Sequence, residues 1–273
     1  MADNRFADAL PFETQDLGTG DFHLAGRNVS AAEVVERLAP HLTDARMARI
    51  SQVVGERTYS VAAVVEHLYD IGNISAVMRS TESFGFLPFH IIERPGARYK
   101  MSDRISRGTE KWLDIRKYRV ESRVHQTVAN APANELTNLL TTGPGNPIAA
   151  NPTADCFDSL HSMGYKIYAT DLDATTTIDE IDLSQKIAIV MGNEHEGISP
   201  YAREHADGRV MLPMYGFAQS FNISVAAALT FSQVHRSRRL QLGRSGDLTP
   251  TQKLNLTAQY FLRTLQNAEV YFK

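Results

Sequence analysis

The sequence predicts an α/β fold on a mainly parallel sheet, because short apolar runs of strand length alternate with segments of helical period. The first run is VAAVVEHL at 61–68, followed by a polar turn. The helical stretch NISAVMRSTESFG comes next and stops at Gly85, a residue type that commonly ends helices. Further strands are predicted at 87–92, 118–122, 165–170, 186–192 and 209–214.

Helical segments flank this alternating region. The stretch SAAEVVERL predicts a helix capped by Ser30, with Glu33 closing a capping box, and a second helix is predicted over 42–56. The last helical segment begins with the start signal Thr249-Pro250. The predicted organisation is an acidic, partly flexible arm at 1–40, a main domain at 41–245 and a helical extension at 246–273.

Composition excludes several classes of protein. The 273 residues are 43% hydrophobic, but no run approaches the roughly 18 apolar residues of a membrane span. The first 22 residues lack the basic start and apolar stretch of a secretory signal. The single cysteine, Cys156, cannot form an internal disulfide or a CxxC metal site. We therefore expect a cytoplasmic protein with no membrane partner.

Charge is unevenly distributed along the chain. The net charge is −3, yet residues 94–123 hold ten Lys/Arg against four acidic residues, a local +6. Residues 231–253 hold five basic residues against one acid, a local +4. Such segments either bind phosphates or form solvated basic surfaces, and charge alone leaves both interpretations open.

Three segments bring together polar residues where a predicted strand gives way to a loop or helix, the usual ligand edge of an α/β sheet. In the first, Asn73 opens a predicted helix and Arg79 follows six residues later. The structural interpretation is an N-cap and a surface arginine. The functional interpretation is a helix N-terminus with a guanidinium that together bind an anion.

The second segment is IAIVMGNEHEGIS, in which a buried strand ends at Gly192 and Glu194 follows in a tight turn. Glycines there let the backbone approach a small ligand closely. His195 lies between two glutamates but has no second histidine at ligand spacing, so we expect no metal site.

The third segment is LPMYGFAQSFNISVAAALTF at 212–231. Either Ser220 or Asn222 is expected to cap an alanine-rich helix, but capping alone does not explain Gln219, Ser220 and Asn222 together. Elsewhere the chain has no GxGxxG, P-loop or GxSxG motif, which removes support for dinucleotide, nucleoside-triphosphate or serine-hydrolase chemistry.

In this order and spacing, the three segments resemble the motifs of the SpoU branch of the SPOUT RNA methyltransferases. The resemblance extends over about 49–239, and within the branch it is greatest to the TrmH group, the transfer-RNA guanosine 2′-O-methyltransferases. GTEKWLDI (108–115) and VHRSR (234–238) add to it. Phe221 departs from the group by replacing a leucine of the adenine pocket.

The resemblance implies a C-terminal trefoil knot, a homodimer, S-adenosyl-L-methionine as cofactor, and 2′-O-methylation of RNA, most specifically of a guanosine in the D-loop of tRNA. An rRNA 2′-O-methyltransferase of the same fold and a non-catalytic RNA-binding protein are the alternatives. The implied residues are Asn73, Arg79, Glu194, Ser220 and Asn222 for catalysis; Thr170, Gly192, Leu212 and Phe221 for the cofactor; and Lys111, Arg236 and Arg238 for RNA.

Overall fold

The computed structural model describes residues 21–94, 108–119 and 151–273. Its centre is a six-stranded sheet in which all neighbouring strands are parallel, and a two-stranded antiparallel hairpin precedes it. The strands are β1 (Asp21–Leu24), β2 (Arg27–Ser30), β3 (Val61–Glu66), β4 (Pro88–Ile92), β5 (Asp114–Tyr118), β6 (Lys166–Thr170), β7 (Ile187–Met191) and β8 (Gly208–Val210).

Helices cover both faces of the sheet, as an α/β fold requires. The α-helices are α1 (Ala31–Leu38), α2 (Asp44–Gly55), α3 (Ile71–Ser83), α4 (Pro152–Ser162), α5 (Pro200–His205), α6 (Ile223–Leu242) and α7 (Pro250–Thr264). Short 3₁₀ helices lie at Ala39–His41, Thr109–Trp112, Ile178–Glu180 and Ala268–Phe272. Among the described helices none is both long and apolar enough to cross a membrane.

Strand β3 shows why the sheet is buried on both faces. Val61, Ala63 and Val65 point to the face covered by α3 and α6, whereas Ala62 and Val64 point to the face covered by α4 and α5. All five side chains are buried, so this part of the strand is continuously apolar rather than alternating. This explains why 61–68 appeared in the sequence as one continuous apolar run.

The strand order is β5-β4-β3-β7-β6-β8. From β3 the chain crosses to β4 on one side, whereas β7 and the strands beyond it lie on the other. The order therefore reverses between β3 and β7, and the loops that leave these two strands diverge. Ligands of open α/β sheets bind in the crevice at such a switch point, on the edge where the parallel strands end. We call this edge the carboxyl edge.

The two ends of the described chain pack together in a separate apolar cluster beside the sheet. Val34 and Leu38 of α1 are fully buried there, together with Tyr260 of α7. Residues 21–40 are therefore ordered: β1 and β2 form a hairpin, and α1, the helix predicted from Ser30, buries its apolar stripe against α7. Residues 1–20 lie outside the described residues, and the domain boundaries after 40 and 245 stay predictions.

Two strands differ in extent from the prediction. The fourth predicted strand, 118–122, is displaced: β5 runs along Asp114–Tyr118, paired with β4, and 120–122 lie outside the described residues. The last predicted strand, 209–214, ends at Val210, before Pro213, which has no N–H for a sheet hydrogen bond.

The starts of α1 and α7 follow their sequence signals, except that one predicted capping box does not form. Ser30 caps α1, its Oγ accepting from the backbone N–H of Glu33 at 3.2 Å. The Glu33 carboxylate does not close a capping box, because it pairs with Arg27 at 2.7 Å and Arg37 at 2.9 Å. A complete capping box does start α7, at Thr249.

Candidate active site

The turn after β7 is fixed at the carboxyl edge by its own hydrogen bonds. The backbone N–H of Asn193 donates to the carbonyl of Gly197 at 2.8 Å, and the Gly197 N–H donates back at 3.1 Å. The Asn193 Oδ1 also accepts from the N–H groups of His195 and Glu196, at 2.9 and 2.7 Å. The turn is therefore a rigid platform that holds the exposed side chain of Glu194 in place.

Gly192, the predicted cofactor-binding glycine, has no space for a side chain. A Cβ at this position would lie 2.1 Å from the carbonyl carbon of Gly197. Gly197 itself has φ +72°, in the left-handed region that favours glycine. Both glycines are therefore required by the shape of the turn, whatever ligand approaches it.

The start of α3 corrects the role predicted for Asn73. The N-cap is Asp70, whose Oδ1 accepts from the Gly72 N–H at 2.7 Å. Asn73 lies in the first turn of the helix, and its Nδ2 donates to Glu194 Oε1 at 2.7 Å. The other carboxylate oxygen, Oε2, accepts from the Tyr69 N–H at 3.3 Å. Glu194 thus joins the loop after β7 to the loop after β3, across the switch point.

This contact also fixes the orientation of the Asn73 amide. Because Nδ2 is engaged by a carboxylate, which only accepts, the Asn73 Oδ1 is left as the acceptor that the amide presents. No bond to that oxygen occurs among the residues that the structure describes. The Asn73–Glu194 pair can therefore accept a hydrogen bond from a hydroxyl at the carboxyl edge.

A buried glutamate anchors the far end of the same turn. Glu66, the last residue of β3, is fully buried and accepts from Thr153 Oγ1 at 2.7 Å. It also accepts from the N–H and Oγ of Ser199, at 2.8 and 2.7 Å. Glu66 is not among the residues predicted for the site, although a lone glutamate in an apolar strand is a signal, since a buried charge needs partners.

Arg79 lies on α3 away from the pair. It follows Asn73 by six residues, which is about 9 Å along the helix axis and roughly 240° around it. Its side chain is exposed and, in the described part of the chain, makes no hydrogen bond or ion pair. Within this chain Arg79 therefore does not reach the Asn73–Glu194 pair, and its guanidinium is available for an anion.

In the third segment, Asn222 rather than Ser220 is the N-cap of the helix. Its Oδ1 accepts from the N–H and Oγ of Ser224, at 2.9 and 2.5 Å, and so starts α6. Ser220 is exposed and Phe221 is 40% exposed. Helix α6 lies beside α3. Phe84, the residue after α3, has its ring centroid 5.8 Å from that of His235 on α6.

The loop at 212–221 leaves its backbone polar groups open. Within the described chain, this stretch makes no backbone hydrogen bond to the rest of the protein. Leu212 is half-buried at its start, whereas Tyr215 and Phe217 are fully exposed. Such a loop offers amide, carbonyl and apolar groups together.

The last residue of β6 and the turn that follows it are fixed by hydrogen bonds and ion pairs. Thr170, a predicted cofactor residue, uses its Oγ1 to donate to the Val190 carbonyl at 3.0 Å. The next residue, Asp171, is buried and forms ion pairs with Arg203 at 2.6 Å and Arg209 at 2.8 Å. Thr170 can therefore contact a ligand through its backbone, while its hydroxyl holds two strands together.

The prediction that Arg238 binds RNA is wrong. Its side chain is buried, and its Nη2 donates to Asp247 Oδ2 at 2.7 Å. Its Nη1 donates to the carbonyls of Gln185, at 3.0 Å, and Leu183. The sequence showed a basic run, but the helix directs alternate members of that run inward and outward. Arg236 is exposed, as an RNA contact requires.

Two predictions remain: a contact between Lys111 and RNA, and the absence of a metal site. Lys111 is exposed in the 3₁₀ helix Thr109–Trp112, where a phosphate could reach it. The described residues include no group of three or more His, Cys, Asp and Glu side chains able to hold a metal ion. Independence from metal stays a prediction.

Comparison with known proteins defines the class. Residues 145–232 match the model of the SpoU rRNA Methylase family. The fold over 82% of this chain is similar to that of the A. aeolicus TrmH/SpoU tRNA modifying enzyme, at a TM-score of 0.62 and 23% identity over 98% of that chain.

Among curated proteins, the chain is similar to those named tRNA (guanosine(18)-2′-O)-methyltransferase. The protein from Borreliella burgdorferi is 29% identical over 84% of this chain and 90% of its own length. The protein from Escherichia coli is 27% identical over 71% of each chain. The resemblance inferred from the three motifs is confirmed.

Proposed function

We propose that this chain is an S-adenosyl-L-methionine-dependent RNA methyltransferase that acts on a ribose 2′-hydroxyl, with a guanosine in the D-loop of tRNA as its target. The observation that carries the proposal is the 2.7 Å bond between Asn73 and Glu194, which unites two of the three motif segments at the switch point. The names of the curated relatives support the choice of tRNA and guanosine.

The carboxyl edge fits the proposed cofactor. The open backbone of 212–221 can satisfy the polar edge of an adenine and a ribose, while Leu212 and Phe221 supply apolar surface. Thr170 ends β6, and Gly192 directly follows the neighbouring strand β7 at the same edge. When bound, S-adenosyl-L-methionine supplies a methyl group on a positively charged sulfur.

The proposal includes the trefoil knot of the SPOUT fold. After β8, at the sheet margin, the chain returns to α6, which lies beside α3 at the centre. On the way Met211 pairs with Thr177. Asp179 then accepts from Gln233 Nε2 at 2.5 Å and from Ser237 Oγ at 3.0 Å, so the segment before β7 lies against the returning chain. These contacts support a threaded return.

The chain's own groups position and activate the nucleophile. A ribose 2′-hydroxyl is barely acidic at neutral pH, so the site must fix its oxygen and stabilise charge as the proton leaves. Asn73 Oδ1 accepts the hydroxyl hydrogen bond. A guanidinium is a poor proton acceptor, so the role of Arg79 is to stabilise the developing alkoxide or to clamp a phosphate. The proton passes to phosphate or water. Ser220 and Asn222 position the ribose.

A homodimer completes the site in this proposal. Exposed apolar side chains follow the third segment into α6, including Tyr215, Phe217, Phe221, Val225 and Leu229. Large exposed apolar patches mark interaction surfaces. In a symmetric dimer this surface packs on its copy, and Arg79 of one subunit reaches the loops of the other. Lys111 and Arg236 then hold the RNA backbone.

The function is tested by incubating the purified protein with methyl-labelled S-adenosyl-L-methionine and unmodified tRNA, followed by nuclease digestion and mass spectrometry. We expect one 2′-O-methylguanosine per tRNA. Incorporation into rRNA fragments alone would favour the rRNA enzyme, and tRNA binding without any methyl transfer would favour the non-catalytic protein.

Replacing Glu194 with glutamine tests the pair. The carboxylate accepts hydrogen bonds from two donors, Asn73 Nδ2 and the Tyr69 N–H. A glutamine side chain has only one acceptor oxygen, so its amide N–H₂ would face the second donor and that hydrogen bond would be lost. Loss of a hydrogen bond to a charged group costs about 1.5–3 kcal/mol. We expect kcat to fall roughly 10- to 150-fold, measured under saturating tRNA.

The matched control is Glu196→Gln, two residues on in the same turn. The Glu196 side chain is exposed and makes no hydrogen bond in the described part of the protein. The kcat of the Glu196→Gln variant should therefore stay within about twofold of wild type. Equal losses in the two variants would show that charge on the turn, rather than the bond to Asn73, matters.

A further inference from the structure

We propose that Tyr69 and His195 form a stacking site for a nucleobase of the RNA, either that of the methylated nucleotide or of a direct neighbour. This inference deepens the proposed function, on which it rests, by naming what holds the base while the ribose lies at the Asn73–Glu194 pair. Neither ring belongs to the residues implied by the three motifs.

The two rings form an exposed cluster with a cation on one side. Their centroids are 4.9 Å apart and their planes meet at 76°, an edge-to-face contact. The guanidinium carbon of Arg94 lies 3.8 Å from the Tyr69 centroid, over its face. Tyr69 is 43% exposed and His195 is exposed. Two aromatic rings therefore face solvent beside a charged group.

A count of ring faces shows that stacking surface remains. Two rings have four faces. Arg94 covers one, and an edge-to-face contact occupies one more, because only one of its two partners presents a face. Among the described residues the other two faces have no ring or cation against them, and both side chains are exposed, so a planar ligand can stack there. Every base has a π-face, so such a surface suits a nucleobase and binds it by stacking.

The backbone that carries each ring is bonded to the elements that build the Asn73–Glu194 pair. The Tyr69 N–H donates to Glu194 at 3.3 Å, and the His195 N–H donates to Asn193 Oδ1 at 2.9 Å. Glu194 in turn holds Asn73. A base stacked on the two rings is thus tied to the ribose acceptor through one rigid unit. This placement favours a base of the target nucleotide or of its immediate neighbour.

The competing interpretation is that Tyr69 and His195 only brace the two loops against each other. A thermodynamic cycle separates the two. The affinity of each protein is measured for an intact synthetic tRNA and for three tRNAs that each lack one base but keep its ribose. The missing base is that of the target nucleotide or of one of its two neighbours. The proteins are wild type, Tyr69→Leu, His195→Ala and Tyr69→Phe, which keeps the ring.

We expect removal of one of these three bases to weaken wild-type binding roughly tenfold, in line with base–aromatic stacking. The same removal should have little effect in Tyr69→Leu, a reduced effect in His195→Ala and the full effect in Tyr69→Phe. S-adenosylhomocysteine affinity, measured in parallel, should be unchanged in all variants. A bracing role predicts no coupling to any base.

Absence of coupling at all three positions would overturn the inference. That outcome differs from failure of the proposed function, which is absence of methyl transfer by the wild-type protein. Because the cycle measures binding alone, it reports on the stacking site whether or not methyl transfer occurs.

Discussion

Replacing Arg79 with alanine is expected to abolish methyl transfer almost completely while leaving the fold intact. Removing one preorganised group that stabilises developing charge costs about 10²–10³ in kcat. The side chain is exposed and has no partner among the described residues, so unfolding free energy should change by no more than about 0.5 kcal/mol. Single-turnover assays and urea unfolding of the same sample test both expectations.

Subunit mixing extends this prediction to the proposed dimer. Arg79→Ala and Asn222→Ala should each be nearly inactive alone. If the two residues act across the interface, a mixed dimer has one doubly damaged site and one intact site. Random exchange makes about half the dimers mixed, so activity should recover to roughly a quarter of wild type.

The control concerns Asn222, because its side chain caps α6. Loss of a cap costs about 1 kcal/mol, so folding of Asn222→Ala must be confirmed before mixing. If mass spectrometry shows subunit exchange and activity still does not recover, Arg79 and Asn222 belong to the site of one subunit, and the composite site is wrong.

The second large effect is on stability. Arg238→Ala leaves Asp247 without the 2.7 Å ion pair that now compensates it, and leaves the carbonyls of Leu183 and Gln185 without their donor. Breaking a buried pair by removing one partner costs about 3–5 kcal/mol. We expect the urea midpoint to fall accordingly. The Ser60 hydroxyl, 2.6 Å from Asp247, compensates only in part.

The matched control for Arg238 is Arg236→Ala on the same helix. That side chain is exposed, so stability should stay within about 0.5 kcal/mol, while tRNA affinity falls and the slope of log K against log salt decreases by about one. Similar stabilities of the two variants would mean that the Arg238–Asp247 network does not hold the fold.

The sheet was largely predictable because each central strand is a short apolar run between polar turns. The run at 61–68 became β3, and the parallel sheet followed from the helices between strands. The displacement of 118–122 arose because the residues of β5 are only half-buried and mostly polar, so periodicity there is weak. The packing of 21–40 on α7 depends on contacts between chain ends, which local patterns cannot encode.

The motifs named residues of the candidate site, but not the contacts that they make in the structure. Asn73 and Glu194 were both identified by motif, yet the helix cap turned out to be Asp70, which frees the Asn73 amide for Glu194. Arg238 looked like its exposed neighbour Arg236, because a run of arginines does not say which guanidinium points inward. Such assignments need the helix to be placed against its neighbours.

The most direct test of the central claim is a single-atom change in the substrate. A synthetic tRNA carries 2′-deoxyguanosine in place of the D-loop guanosine that receives the methyl group, and its transfer is compared with that of the unaltered tRNA. The proposed site methylates a ribose oxygen, so transfer should vanish while binding of the altered tRNA persists. Undiminished methyl incorporation at the deoxy nucleotide would place the methyl group on the base and contradict the proposal.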